Sequence, residues 1–392
     1  MGSSIESHLK KKLEDLDEAG LLRKLTLPKS GGPDPETAQF SSNDYLGLAH
    51  APFLQEAAIA AIEKYGTGAG ASRLLRGTLP PHEELEAAIS RWKRAEASLV
   101  FTSGYAAALG TISAVVGKND VVLMDKLCHA SLIDGARLSG ALIRVFPHNN
   151  MRKLSALLEW ASHTRPDARV LVLTESVFSM DGDCSPLAEI VQLKEKYGAW
   201  LMLDEAHAVG VIGEQGRGLA HELNLSRRIE IQLGTLSKAL GGCGGYVCGS
   251  KPLIDWLVNK SRSFVYSTAP SPASAAVSLA AIQWLSSNQA SERRATLWKN
   301  IKHFGSLIGS LRKMHIEPES AIIPIRANST ETANHWSSCL QEQGIFVPAI
   351  RYPTVAKGTE RLRVTLSSNH SQQQITRLCD ALGQLSALLP TA

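Results

Sequence analysis

AWLMLDEAHAVG, residues 199–210, runs from an apolar stretch into two acids and then an imidazole. The stretch 199–203 has the length and content of a short buried strand that ends at Asp204. Glu205 to His207 then lie on the loop beyond it. In an open α/β sheet, ligands bind outside the carboxyl ends of the strands, so Asp204 and His207 are expected to face the binding crevice. Asp-Glu-Ala-His is also the signature of one class of nucleic-acid helicases. A helicase needs a phosphate loop of the form G-x-x-x-x-G-K-[ST]. The chain has none, because Gly117-Lys118 is followed by Asn119. The glycine-rich stretch GTGAGASRLLRGT (66–78) likewise fails the G-x-G-x-x-G spacing of a dinucleotide site.

The same texture continues in both directions. Leu99–Phe101, Val121–Met124, Arg169–Thr174 and Ile229–Leu233 read as further buried strands with helical periods between them. Pro186–Tyr197 is predicted as one such helix, with Ser185 as its N-cap, proline at its first position and Gly198 at its end. Strands alternating with helices over residues 52–285 predict a large, doubly wound α/β domain with a mainly parallel sheet. Residues 286–392 change texture: a long helical stretch, short strands near Ala321–Arg326, Ile345–Pro348 and Arg361–Leu366, and a closing helix predict a smaller C-terminal α+β domain. Residues 1–51 form an N-terminal helix and arm, a candidate to pack with that domain. Leu9, Leu13 and Leu16 share one helical face, and LPKSGGPDP (27–35) is turn-forming punctuation.

Composition narrows the classes. Hydrophobic residues make up 44% and charged residues 20% of the 392, enough for a sizeable core. A net charge of +4 falls short of the basic stripe of a nucleic-acid binder. No apolar run approaches the ~18 residues of a membrane span, and the N-terminus lacks the apolar region of a secretory signal. Cys128, Cys184, Cys243, Cys248, Cys339 and Cys379 form no CxxC pair and have no zinc-site spacing, so no metal site is expected. They read as reduced thiols of a cytoplasmic enzyme.

A second strand, IEIQL, leads into GTLSKALGGCGGYVCGS (234–250). Lys238 here lies among Ser237, Ala239, Gly241 and Gly242, outside any charge run. Solvated surface explains such a lysine poorly. Partly desolvated, its neutral amine can attack a carbonyl to form a Schiff base. Asp204 can hold a pyridinium nitrogen, which makes pyridoxal 5′-phosphate the carbonyl cofactor that fits both residues. Its phosphate needs donors, and FTSGYAAALG (101–110) offers Gly104 and Tyr105 at the opening of a helix.

With these motifs in place, the chain resembles the α-oxoamine synthases, fold-type I pyridoxal-phosphate enzymes. Their fold is aspartate aminotransferase-like, with a mainly parallel seven-stranded sheet. They condense an amino acid with an acyl thioester and release CO2. The resemblance rests on SNDYLGLA (42–49), GTGAGASRLLRGT, HEELE (82–86), FTSGYAAALG, DKLCHASLIDGA (125–136), TESVFSMDGD (174–183), DEAHAVGVIGEQGRG (204–218), TLSKALGG (235–242) and ERLRVTL (360–366). It implies that Lys238 bonds the cofactor and shuttles the substrate's α-proton, while Asp204 pairs with the ring nitrogen. His207 and Ser179 would bond the phenolic oxygen, and His129 would stack on the ring beside Glu175. Thr235 would join Gly104 and Tyr105 around the phosphate, with Ser267 and Thr268 contributed by the partner subunit of a homodimer. Arg363 and Asn43 would hold the amino-acid carboxylate. Arg361 lies on the same strand face as Arg363, and period alone does not separate the two. Arg23 corresponds loosely to an arginine that meets the acyl chain's distal carboxylate.

Within the family, AIRYPTVAKGTERLRVTLSSNH (349–370) has the texture of the members that join L-alanine to a pimeloyl thioester for biotin. Ser72 stands near a position where glycine-selective members carry threonine, and its smaller side chain leaves room for the methyl of alanine. A methyl group is worth only ~1–3 kcal/mol of selectivity. Glycine with acetyl-CoA or succinyl-CoA, and serine with palmitoyl-CoA, are the alternatives inside the family. Outside it stand a fold-type I aminotransferase and a non-catalytic relative, the latter disfavoured by the presence of Lys238.

Overall fold

The computed structural model describes residues 4–23, 25, 37–310 and 317–387. They divide into two compact units: residues 43–179 with 183–298, and residues 1–42 with 180–182 and 299–392.

The larger unit is built on a seven-stranded sheet. Its strands are β1 (Ala97–Phe101), β2 (Val121–Asp125), β3 (Leu142–Phe146), β4 (Val170–Glu175), β5 (Trp200–Asp204), β6 (Ile231–Thr235) and β7 (Gly245–Gly249), in the order β1-β7-β6-β5-β4-β2-β3. Only β7 is antiparallel to its neighbours. The apolar runs read from the sequence are these strands. Leu171, Leu173, Leu201 and Met202 are wholly buried, as central parallel strands covered on both faces require. Helices α2 (Pro52–Tyr65), α3 (Pro80–Lys93), α4 (Gly104–Val115), α5 (Ala130–Ser139), α6 (Met151–Thr164), α7 (Leu187–Lys196), α8 (Lys251–Lys260) and α9 (Pro272–Trp284) belong to this unit. Pro186 is the N-cap of α7, one position later than expected, and Gly198 follows its end at φ +63.

The smaller unit holds a three-stranded antiparallel sheet of β8 (Ile322–Arg326), β9 (Ala349–Ile350) and β10 (Arg361–Thr365), ordered β9-β10-β8. Ala38–Gln39 pairs in parallel with Ile345–Phe346, so the N-terminal arm is tied to this unit. The division falls at residues 298–299, inside helix α10 (Asn288–Gly309), later in the chain than the expected 285. Helix α1 (Ile5–Glu18) forms as the leucine spacing predicts, but Leu9, Leu13 and Leu16 stay exposed. No described helix is long and apolar enough to cross a membrane.

Candidate active site

Three parallel strands end side by side in polar residues. Glu175 closes β4 and lies in register with Asp204, which closes β5, and Thr235 closes β6. The Glu205 N–H donates to the Leu233 carbonyl (2.8 Å), and the Ala208 and Val209 N–H groups donate to the Glu205 carbonyl. This tight turn sets His207 beyond the strand ends. Its Nε2 is 2.9 Å from Lys238 Nζ, and its Nδ1 is 2.5 Å from the Tyr45 hydroxyl. Asp204 is buried and accepts the Ala206 N–H on Oδ1 (2.9 Å). The loops carrying these groups interlock at glycines. A side chain at Gly210 (φ +81) would meet the Ala239 Cβ at 2.6 Å, and one at Gly241 (φ +65) the Leu48 carbonyl carbon at 2.7 Å.

A candidate phosphate seat adjoins them. Ser103 caps α4 by accepting the Ala106 N–H, which leaves the Gly104 and Tyr105 amides at the open end of the helix. A side chain at Gly245 would strike the Gly104 nitrogen at 2.5 Å, so β7 brings bare backbone against the seat. Thr235 stands beside Gly104, its hydroxyl 2.8 Å from that of Ser237. Amide and hydroxyl donors at a helix start suit a phosphate dianion. Lys238 follows three residues after Thr235, and Asp204 lies one strand away. These residues fit pyridoxal phosphate.

Burial dominates the electrostatics. It pushes the Glu175 carboxyl up to about 8, assisted by the Asp204 charge and opposed by Lys238 and by N–H groups of His129 and Ser179. Burial also raises Asp204, against the pull of Lys238, the Ala206 N–H and His129. Burial favours the neutral form of both carboxyls, and a cation against Asp204 favours its ionised form. His129 is the N-cap of α5. Its N–H donates to Glu175 Oε1 (2.6 Å), and its Nδ1 is 2.8 Å from the Ser131 hydroxyl. Partial desolvation holds the imidazole below its usual pKa, against Asp204 and together with Lys238. The residue remains exposed, open to a ring stacked on it.

The larger unit therefore brings together Lys238, Asp204, His207, His129, Glu175, Ser179, Thr235, Gly104 and Tyr105. Asn43 joins them through the Tyr45 hydroxyl, 3.3 Å from its Oδ1. Ser72 and Thr268 pair in an isolated antiparallel bridge beside Ser267. In the smaller unit, Arg361 donates to Asp181 Oδ1 (2.6 Å) and the Met180 carbonyl, so the neighbouring Asp181 already claims it. The Arg363 guanidinium donates to the Thr365 hydroxyl (2.9 Å). Arg23 donates to the Thr354 hydroxyl (2.9 Å).

Two participants went unsingled in the sequence reading. Tyr45 lies inside the quoted SNDYLGLA, and the buried Lys93–Glu205 ion pair has one partner inside DEAHAVG. Glu205 also accepts the Ala220 N–H, and Lys93 donates to the Arg217 carbonyl, so the loop is tied to the end of α3. A buried lysine in the otherwise ordinary helix ending RWK gives no signal until its partner is known. A cavity of about 1090 Å3, lined by Arg169, Trp200, Gln232 and Trp256 among others, includes none of the Lys238 group.

Comparison with known proteins agrees with this geometry. The profile of the class I and II aminotransferases matches residues 35–382. An 8-amino-7-oxononanoate synthase of Thermoanaerobacter pseudethanolicus is 46% identical over 374 residues, covering 94% of this chain and 93% of that protein. A serine palmitoyltransferase from S. paucimobilis, solved with a bound PLP–myriocin aldimine, superposes with a TM-score of 0.90 at 28% identity, covering 98% of this chain and 99% of that one. An 8-amino-7-oxononanoate synthase from Francisella tularensis gives 0.78 at 28% identity, covering 90% and 99%. By these matches over nearly its whole length, the chain belongs to the class I and II aminotransferase family of pyridoxal-phosphate enzymes, in its α-oxoamine synthase branch.

Proposed function

We propose that this enzyme condenses L-alanine with a pimeloyl thioester, carried on coenzyme A or a carrier protein, to give 8-amino-7-oxononanoate, CO2 and a free thiol for biotin formation. The observation that carries the reading is the 46% identity, over nearly the whole chain, to a relative named for that product. The fold likeness to a serine palmitoyltransferase supports the branch and does not bear on the acyl group.

Bound pyridoxal phosphate supplies an aldehyde for the amino group and a protonated ring that takes up the electron pair left at the amino acid's α-carbon. The chain's residues do the rest. Asp204 holds the ring nitrogen, and burial makes that pairing strong. The Gly104 and Tyr105 amides and the Thr235 hydroxyl hold the phosphate. His129, positioned by Glu175 and Ser131, would pack against the ring, and His207 and Ser179 would bond the phenolic oxygen. Lys238 would take the α-proton on Nζ and later return a proton to the same carbon once CO2 has left. By the family's pattern, Arg363 and Asn43 take the amino-acid carboxylate and Arg23 the far carboxylate of the acyl chain. Planar guanidinium against carboxylate fixes orientation as well as charge. Ser72 leaves room for the alanine methyl. Ser267 and Thr268 serve the phosphate of the partner subunit in a homodimer. The enzyme acts in the cytoplasm.

The test is thiol release from pimeloyl-CoA, acetyl-CoA, succinyl-CoA and palmitoyl-CoA, each with L-alanine, glycine or L-serine. Alanine with the pimeloyl thioester is expected to exceed every other pair by roughly tenfold or more. Release confined to glycine with acetyl-CoA would overturn the assignment and favour a glycine C-acetyltransferase. Amino-group transfer without thiol release would favour an aminotransferase.

A further inference from the structure

The Tyr45 hydroxyl lies near Asn43 Oδ1 at 3.3 Å and His207 Nδ1 at 2.5 Å, either of which can accept its proton. The rings of Tyr45 and His207 are tilted by 58° with centroids 6.1 Å apart, so they meet edge-on through this bond and are not stacked. The shorter contact claims the proton, and a phenol donating to an imidazole nitrogen accounts for its length. An imidazole that accepts on Nδ1 carries its own proton on Nε2. Nε2 is the nitrogen that faces Lys238 Nζ at 2.9 Å.

We propose that Tyr45 is a positioning residue of this enzyme: its hydroxyl fixes His207 as the Nε2–H tautomer, so that His207 presents a donor towards Lys238 and the cofactor's phenolic oxygen. This inference deepens the reading above and rests on it for the identity of that oxygen. A donor at Nε2 also has a consequence for Lys238. An ammonium there would set N–H against N–H, whereas a neutral amine offers its lone pair, and the neutral amine is the form that attacks an aldehyde.

The turn that carries Tyr45 is built to hold one place. Tyr45 is 1% exposed, and Leu46 and Leu48 beside it are equally buried. Its N–H donates to the Asn43 carbonyl (2.9 Å), while the Asp44 carboxylate accepts the Leu48 and Ala49 N–H groups at 2.8 and 2.9 Å. Arg293 of α10 donates to the Leu46 carbonyl (3.3 Å). Such bracing aims a hydroxyl more firmly than a surface tyrosine could. The other ionisable groups around Lys238 are Asp204, Glu175 and His129, each interacting electrostatically with it.

The experiment is 15N NMR of the full chain labelled in histidine, with and without pyridoxal phosphate, the His207 signals being assigned by their loss in His207→Gln. The expected result is a single tautomer protonated on Nε2. In Tyr45→Phe the His207 shifts should move towards the average of the two tautomers, and the pH midpoint of the lysine-bound cofactor's visible absorbance should move by about half a unit or more. Turnover should fall roughly tenfold with KM for the amino acid little changed. Parent protein with His207 protonated on Nδ1 overturns the proposal, and this measurement needs no variant of Tyr45 to fold. So does a Tyr45→Phe protein whose shifts and absorbance midpoint match the parent's. The tautomer is read without substrate, so a wrong acyl donor would sink the substrate reading and leave this inference standing.

Discussion

At the scale of single residues, the proposed chemistry rests on Lys238, which stands out in the sequence because a lysine among small residues after a buried strand has no solvated explanation. Lys238→Ala should abolish the change in visible absorbance on adding amino acid, and turnover should fall roughly 10²–10⁴-fold from the lost proton transfer alone. An unchanged spectrum and rate would remove its role. Tyr45 was not legible in the same way. Its partner is 162 positions away, and a tyrosine in a loop reads equally as core. Glu175 makes a prediction about pH. Its carboxyl titrates at about 8 in the folded chain against an ordinary 4.5. Between those values the folded state holds the proton and the unfolded state does not, so stability of the cofactor-free chain falls as pH rises through that window. Glu175→Gln should flatten the slope, measured as denaturation midpoint against pH. A slope of the same size in the variant would mean that other groups cause it.

At the scale of elements, the loop 204–220 is held by charge. Lys93 and Glu205 are both wholly buried, and removing one leaves the other uncompensated. Lys93→Met should destabilise by about 3–5 kcal/mol, and adding Glu205→Leu should recover part of that loss. Equal stability of the single and double variants would show the pair uncoupled. A second clamp joins the loop after β3 to Asp183. His148 lies between Asp125 (3.1 Å) and Asp183 (2.7 Å). Burial opposes its charge, but the two carboxylates outweigh it and push the imidazole from 6.5 up to about 10. Its contribution to stability is therefore complete below pH 6.5 and lost as pH rises through about 10. His148→Gln should flatten the alkaline loss of thermal stability.

The central strands showed in the sequence because burial on both faces makes them continuously apolar. Edge strand β3 did not, since Arg144 and Val145 face solvent. Nor did β7, whose glycines read as a loop. Gly245 is there because β7 must pass against Gly104, a constraint from across the sheet that no local pattern carries.

At the scale of the molecule, the sequence separated an α/β part from an α+β part. The point of division was less readable, because α10 continues through it with unbroken helical periodicity. That the arm around Ala38–Gln39 completes a strand pair with Ile345–Phe346 could not be read from two residues alone. Cofactor binding should stabilise the whole chain. At a hundredfold excess over Kd the gain is ~2.7 kcal/mol, seen as a rise of several degrees in Tm. A Tm indifferent to pyridoxal phosphate would mean that the seat does not bind it.

The contact of Gly210 with Ala239 bears on recombination. A glycine backbone closed over a single methyl group must be inherited with that methyl as a matched set. A chimaera that imports only the segment around Gly210 from a distant family member should therefore express poorly, whereas one that exchanges both segments together should be recovered intact.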